Sequence, residues 1–210
     1  TVFIGLDLTS SQLKPSGYAI LTQNGALLEL GYLERDVDVI CTVKNHNPLV
    51  VAVDSPLGFP KGMCCLEESC DCTSMWDNKG RRGERILSGM GIPLYYTTKR
   101  SIIKKMVYRA IKLQSELITH CDQIIEVYPY ASKIFLFGKN IPKKTTGFGL
   151  EFLYQQLIKL IPGIESYRNY LSHDIYDALV AAYTGYLYHN HKTKSLGISE
   201  EACIVVPDIA

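Results

Sequence analysis

Five acidic residues interrupt otherwise apolar or small-residue segments of this chain. Asp7, Asp54 and Glu126 lie in or at the end of the apolar runs VFIGLDL, PLVVAVD and DQIIEVYP. Asp174 and Asp177 are three residues apart in HDIYDALVAAYTG, a spacing that places both on one face of a helix. Burying a lone carboxylate is costly unless the group is paired, protonated or bound to a cation. Because each acid alone also fits an ordinary turn or solvent-facing position, only their joint placement indicates chemistry.

The chemistry that suits such a set of carboxylates is divalent metal binding. In an α/β sheet, functional groups collect outside the carboxyl ends of parallel strands, where Asp7 and Asp54 are expected. Clustered carboxylates raise one another's pKa, and Mg²⁺ or Mn²⁺, which prefer oxygen ligands, relieve that repulsion. Two such ions about 4 Å apart activate water and stabilise the leaving oxygen in phosphodiester hydrolysis. We predict metal ligands at Asp7, Asp54, Asp174 and Asp177, with Glu126 as a further catalytic acid.

The elements that carry these acids follow from hydrophobic periodicity and turn residues. VFIGLDL and PLVVAVD predict buried strands, and SGYAILTQNGALLELGYLE predicts a hairpin that turns at Gln23-Asn24-Gly25. DQIIEVYP predicts another strand, and EEACIVVPDI predicts a last edge strand. Helices are predicted at ERDVDVICTVKNH, GERILSGMG, SIIKKMVYRAIKLQSELITH, YASKIFLFG, GLEFLYQQLIKLI and YRNYLSHDIYDALVAAYTGYLYHNH.

This order of elements indicates the fold class. Three antiparallel strands followed by parallel strands joined through helices predict an α/β fold, with a mixed sheet and helices on both faces. Residues 56–100 differ from the rest, because they contain Gly, Pro and Cys clusters and the only tryptophan. We predict a single domain over 1–210, with a loop-rich, cysteine-containing insertion over 56–100 after the fourth strand.

Composition narrows the classes of function. Hydrophobic residues make up 47% of the 210-residue chain, charged residues 20%, and the formal net charge is +1. These values are typical of a soluble globular protein, in which nucleic acid binding requires local basic patches. The apolar stretches are shorter than a membrane span, and the chain begins with a strand-like run rather than a signal peptide. We expect a cytoplasmic protein with no membrane partner.

Basic residues of the insertion are candidates for contacting nucleic acid. Phosphodiester substrates need cations along their backbone, and Arg82 is placed as a phosphate clamp near the acids. The alternative is that these side chains are ordinary solvated surface. The predicted substrate-binding residues are Arg81, Arg82, Lys99 and Arg100, beside Tyr95 and Tyr96 as stacking groups.

Four of the seven cysteines lie together in MCCLEESCDC. Their spacing, CC followed by four residues and CxC, is not that of a standard zinc finger. Free thiols, a zinc or iron–sulfur site at Cys64, Cys65, Cys70 and Cys72, and disulfides all remain open at this point. Cys41, Cys121 and Cys203 lie in apolar surroundings and are predicted as small core residues.

Five motifs in order resemble a known family. They are GLDLTSS with SGYAIL, VVAVDSPLGFP, GRRGERILSGMGIP, EVYPYASKIFLFG and HDIYDALVAAY, spread over nearly the whole chain. Together they resemble the family called domain of unknown function 429, which is described as predicted nucleases with a ribonuclease H-like fold. HDIYDALVAAYTG is also similar to the last helix of Holliday-junction resolvases.

The resemblance implies a ribonuclease H-like mixed sheet of five strands. It implies that Asp7 is the first-strand metal ligand and Asp54 the second-strand ligand. Asp174 and Asp177 become the helix ligands, with Asp177 the more central, and Glu126 an additional acid of this family.

The leading functional prediction is a Mg²⁺- or Mn²⁺-dependent nuclease acting on DNA or RNA. A second possibility is a nucleotide-binding phosphotransferase of the actin and sugar-kinase type, since GLDLTSS superficially resembles its first phosphate loop. A third is a non-catalytic binding module whose insertion and cysteine cluster recognise a partner.

Overall fold

The chain forms one mixed β-sheet with helices packed on its two faces. We analysed a computed structural model, which describes residues 1–11, 13–76 and 79–209. The strands are β1 (Val2–Asp7), β2 (Ser16–Thr22), β3 (Leu27–Leu33), β4 (Val50–Asp54), β5 (Gln123–Val127), β6 (Thr193–Leu196) and β7 (Ile204–Pro207). The α-helices are α1 (Asp36–His46), α2 (Arg82–Gly89), α3 (Lys104–Leu117), α4 (Pro129–Phe137), α5 (Gly147–Leu157) and α6 (His173–His189).

Within the described residues, the sheet has seven strands in the order β3-β2-β1-β4-β5-β7-β6. β1 pairs antiparallel with β2 and parallel with β4, while β4–β5 and β5–β7 are parallel and β6–β7 antiparallel. The predicted α/β class with a mixed sheet is confirmed, but the predicted count of five strands is wrong. β6 lies outside β7, so the segment predicted as an edge strand is internal.

Two apolar clusters cover the two faces of the sheet. Alternate residues of β1 and β4 contribute to each cluster, as the pleat of a strand requires. One face carries α5 and α6, and the other carries α1 and α3. Among the described residues, no helix is both long and apolar enough to cross a lipid bilayer.

The backbone of helix α6 packs closely against the backbone of β1. Ser172 caps its first turn by accepting a hydrogen bond from the Ile175 N–H at 3.3 Å. A Cβ atom on Gly5 would lie 2.1 Å from the carbonyl oxygen of Ala178 and 2.2 Å from the Ala182 nitrogen. Glycine in β1 and alanines in α6 are therefore what allow the helix to lie directly over β1.

The segment between β4 and α3 contains α2 as its one regular element among the residues described. Its base is fixed by Glu201, whose side chain is fully buried. The Glu201 carboxylate accepts hydrogen bonds from the Lys61 N–H at 2.7 Å, the Arg82 N–H at 2.6 Å and the Trp76 indole. This carboxylate ties the start of the segment and the start of α2 to the residues before β7.

Candidate functional site

The two strand-end aspartates lie side by side. Asp7 is the last residue of β1, Asp54 is the last residue of β4, and they are direct partners in the parallel register. Neighbouring strands are about 4.8 Å apart, so the two carboxylates leave the same edge of the sheet next to each other. The alternation of the strands turns both toward the face that carries α6, since Phe3 and Ala52 belong to that cluster.

The first turns of α6 bring two further aspartates to the same edge. Gly17, the partner of Asp7 in β2, faces the Asp174 backbone, and a Cβ atom there would lie 3.1 Å from the Asp174 oxygen. Asp177 is 3% exposed, whereas the Asp174 side chain is 38% exposed and contacts His173 Nδ1 at 2.7 Å. We call the site formed by Asp7, Asp54, Asp174 and Asp177 the aspartate pocket.

Burial and mutual repulsion make the aspartate pocket costly to ionise. Burial, followed by the charges of Asp54, Asp177 and Asp174, raises the pKa of Asp7 from 3.8 to about 9. Burial and the charge of Asp177 raise the pKa of Asp54 from 3.8 to about 8, although nearby lysines oppose the shift. Both carboxylates therefore lack sufficient positive charge to balance them in the fold.

Two lysines hold Asp177. Lys133 in α4 is 1% exposed and donates to Asp177 Oδ1 at 2.7 Å, while Lys144, in the loop between α4 and α5, donates to Oδ2. Burial alone would lower the pKa of Lys144, but Asp177, Asp7 and Asp54 raise it above its usual value. Sequence reasoning missed Lys133, although a lone cation within the apolar helix YASKIFLFG is a signal of the same kind as Asp7 within VFIGLDL.

Glu126 is separated from the aspartates by the pleat of β5. It pairs in register with Val53 rather than with Asp54. Its carboxylate accepts hydrogen bonds from both terminal nitrogens of Arg81, and from the Leu57 N–H at 2.8 Å. Arg81 is 1% exposed and also donates to Glu84 at 2.9 Å. Glu126, predicted as a catalytic acid, and Arg81, predicted as a substrate contact, form a buried ion pair with each other in the fold.

The other predicted substrate-binding residues have contacts within the insertion. The guanidinium carbon of Arg82 lies 5.8 Å from the Trp76 ring centroid. Lys99 Nζ donates to the carbonyl oxygen of Cys70, and the exposed Arg100 lies 3.5 Å from Glu68. Lys99 and Arg100 therefore lie beside the cysteine cluster.

The cysteine cluster is a second convergent group. The sulfur atoms of Cys64, Cys65, Cys70 and Cys72 all lie within 4.8 Å of one another, close enough to hold a metal ion. Within the described parts of the chain, this is the one set of three or more ligand atoms that converges so closely; the aspartates are spaced more widely. Backbone hydrogen bonds from Cys64 and Cys65 lower the pKa of Cys72 to about 6.

The remaining cysteines differ partly from expectation. Cys121 and Cys203 are half-buried, but Cys41, predicted as a core residue, is exposed on the surface of α1. The prediction was wrong there because Cys41 lies on the solvent side of a helix whose buried residues are Val39 and Val43.

Comparisons of the chain with known proteins found no relative. No family model, curated protein or solved structure matches the chain. The resemblance to the domain of unknown function 429 family thus stays a prediction that rests on the five motifs.

Proposed function

We propose that this protein is a divalent-metal-dependent nuclease that hydrolyses phosphodiester bonds of nucleic acid at the aspartate pocket. The observation that supports this most directly is the pairing of Asp7 with Asp54 at the carboxyl ends of adjacent parallel strands. Two half-buried carboxylates with raised pKa values, beneath a helix that adds two more acids, are the arrangement that a doubly charged cation stabilises.

The donor set fits Mg²⁺ or Mn²⁺. All four groups are carboxylates, which hard divalent cations prefer, whereas thiolates such as those of the cysteine cluster suit softer ions. The two lysines contact Asp177, but no hydrogen bond or ion pair from the residues that the structure describes satisfies Asp7 or Asp54. Asp7 and Asp54 would therefore be the main ligands, with Asp177 and Asp174 completing the site.

The bound ion would supply an activated water molecule and charge neutralisation for the departing oxygen. The protein's own contribution is orientation and charge. Lys133 is fully enclosed and keeps Asp177 directed into the pocket. The Lys144 side chain is 42% exposed, so it can turn from Asp177 toward a phosphate oxygen of the substrate when the cation arrives.

The test measures cleavage and metal binding in parallel. Single-stranded, double-stranded and branched DNA, together with RNA, are incubated with the protein in Mn²⁺, Mg²⁺ or a chelator. We expect cleavage only with metal, and a loss of at least about 100-fold in Asp7→Asn and Asp54→Asn. The matched control is Asp122→Asn. Asp122 is exposed and lies just before β5, at the opposite end of the strands from the aspartate pocket, so this variant should cleave as fast as the parent protein.

Two results would refute the proposal. One is cleavage by Asp7→Asn and Asp54→Asn at the parent rate. The other is that Mn²⁺ fails to raise the melting temperature of the parent protein at concentrations that saturate ordinary carboxylate sites.

A further inference from the structure

The second candidate for bound metal is the exposed loop over residues 62–75, which we call the cysteine loop. We propose that Cys64, Cys65, Cys70 and Cys72 bind one zinc ion in a closed tetrahedral site, and that this ion holds the cysteine loop in its folded conformation. The inference is independent of the nuclease proposal, because it uses none of the aspartates.

The separations between the sulfur atoms fit a single shared ion. Zinc–sulfur bonds of about 2.3 Å in a tetrahedron place the sulfur atoms about 3.8 Å apart. Cys64 Sγ and Cys70 Sγ are 3.6 Å apart, and all four sulfurs lie within 4.8 Å of one another. A disulfide needs about 2.05 Å, so the geometry does not match a bridge.

The same separations favour one ion over an iron–sulfur cluster. A cluster places its own iron and sulfide atoms between the cysteine ligands and spreads them over several metal atoms. Four sulfurs that all approach one another within 4.8 Å leave no room for those atoms. Four protein ligands also fill the tetrahedral coordination of zinc, as in structural rather than catalytic zinc sites.

The cysteine loop has little else to hold it. It contains no helix or strand, and Leu66 is its one buried side chain. The loop closes at its base where the Met75 N–H donates to the Lys61 oxygen at 2.8 Å, and Leu66 N–H donates to the Tyr108 hydroxyl at 2.7 Å. A segment that buries so little apolar surface gains ordering chiefly from a cross-link, which a metal ion supplies.

One lysine, Lys99, lies close enough to the cysteines to offset part of the charge of the proposed site. Four thiolates around one Zn²⁺ carry a net charge of −2, so neighbouring cations and N–H donors stabilise the complex. Lys99 Nζ donates to the carbonyl oxygen of Cys70 and so lies beside the four sulfur atoms. The ion would thus also fix the position of Lys99.

The experiment measures metal content in the whole chain. The parent protein, purified without added metal and dialysed, should contain about one zinc per chain by mass spectrometry. Cys70→Ser and Cys72→Ser should lose this zinc, whereas Cys41→Ser, a change at an exposed cysteine outside the loop, should retain it. A strong chelator should lower the melting temperature of the parent by more than about 5 °C and leave that of Cys70→Ser unchanged.

A spectroscopic readout covers the case in which the serine variants fail to fold. Replacing zinc with Co²⁺ in the parent protein should give the intense sulfur-to-cobalt absorption of a four-thiolate tetrahedral site, and adding zinc should abolish it. The proposal is overturned if the parent contains no zinc, if it contains iron with visible absorption, or if mass analysis finds disulfides at these cysteines.

The zinc site and the nuclease proposal fail separately. Asp7→Asn should keep the full zinc content, since its carboxylate lies outside the cysteine loop. Loss of nuclease activity with unchanged zinc therefore concerns the aspartate pocket alone, and absence of zinc with intact Mn²⁺-dependent cleavage concerns the cysteine loop alone.

Discussion

The four acids of the aspartate pocket come from β1, β4 and α6, whereas the four cysteines lie within nine consecutive residues, 64–72. The acids are placed by strand register and by the close approach of α6 to β1. The cysteines lie in an exposed loop with one buried apolar side chain. The fold itself thus brings the acids together, even though their charges repel, while the cysteine loop relies on its own ligands.

This difference has an energetic consequence. In the aspartate pocket the fold holds carboxylates of like charge close together, so a cation would stabilise a geometry that already exists. The cysteine loop has little hydrophobic stabilisation, so there the ion would stabilise the geometry itself. Changes to the scaffold should therefore damage the aspartate pocket most, and changes to the ligands should damage the cysteine loop most.

The largest effect is expected from Gly5→Ala. Its Cβ would overlap the α6 backbone at Ala178 and Ala182, so the helix that carries two of the acids must move. We expect destabilisation by at least about 3 kcal/mol in urea unfolding, together with loss of Mn²⁺ binding. Gly89→Ala is the control, since nothing lies within 4 Å of its Cβ position, and its stability should match the parent or exceed it slightly. Equal stability of the two variants would show that α6 does not depend on Gly5.

A smaller effect is expected from Lys133→Met. The Lys133 ammonium is buried and lies 2.7 Å from Asp177, so its removal leaves a buried carboxylate with Lys144 as its remaining cation. Breaking a buried pair from one side costs about 3 kcal/mol. Lys139→Met, in which the exposed lysine just after α4 is changed, should cost less than about 0.5 kcal/mol. The zinc content of both variants should be that of the parent; a fall in Lys133→Met alone would link the two sites.

The dependence of stability on pH tests the aspartate pocket by itself. Asp7 and Asp54 have pKa values raised to about 9 and about 8 in the fold, against 3.8 for the ordinary group, so between these values the folded state binds more protons. The stability contributed by these protons is complete below about pH 4 and is lost as the pH rises toward 9. In a chelator, the free energy of unfolding of the parent should therefore fall more steeply over this range than that of Asp7→Asn. If the free energy of unfolding depends on pH equally in the parent and in Asp7→Asn, Asp7 does not have a raised pKa in the fold.

Mn²⁺ should remove that loss of stability. Binding at the aspartate pocket displaces the protons from Asp7 and Asp54, so affinity should rise with pH until both groups are ionised. Calorimetry at several pH values measures both the affinity and the protons released. The control Asp122→Asn should behave as the parent in both respects.

Much of the scaffold could be predicted from local patterns. The continuous apolar runs of β1 and β4 and the small residues of α6 indicate strands and a closely packed helix without any partner being known. β6 was missed because TKSL is four residues long and has one buried side chain, Leu196. Without β6, the final strand is naturally taken for an edge.

The partners of the charged residues could not be predicted in this way. Lys133 and Asp177 are 44 residues apart, and Arg81 and Glu126 are 45 residues apart. Both contacts depend on how irregular segments and helices pack, which leaves no periodic trace in sequence. The apolar setting of Lys133 signalled burial of its charge, but it did not identify the acid that receives it.

The smallest effect on stability, and the one that bears most on substrate binding, is expected from Arg100→Ala. Arg100 is 87% exposed, and its pair with Glu68 should contribute less than about 0.5 kcal/mol. If the cysteine loop contacts nucleic acid, the variant should bind more weakly and its salt dependence should fall by about one phosphate contact. Lys44→Ala, at the exposed end of α1 and the opposite edge of the sheet, should leave the salt dependence unchanged. If both variants keep the parent's salt dependence, Arg100 lies outside the surface that binds nucleic acid.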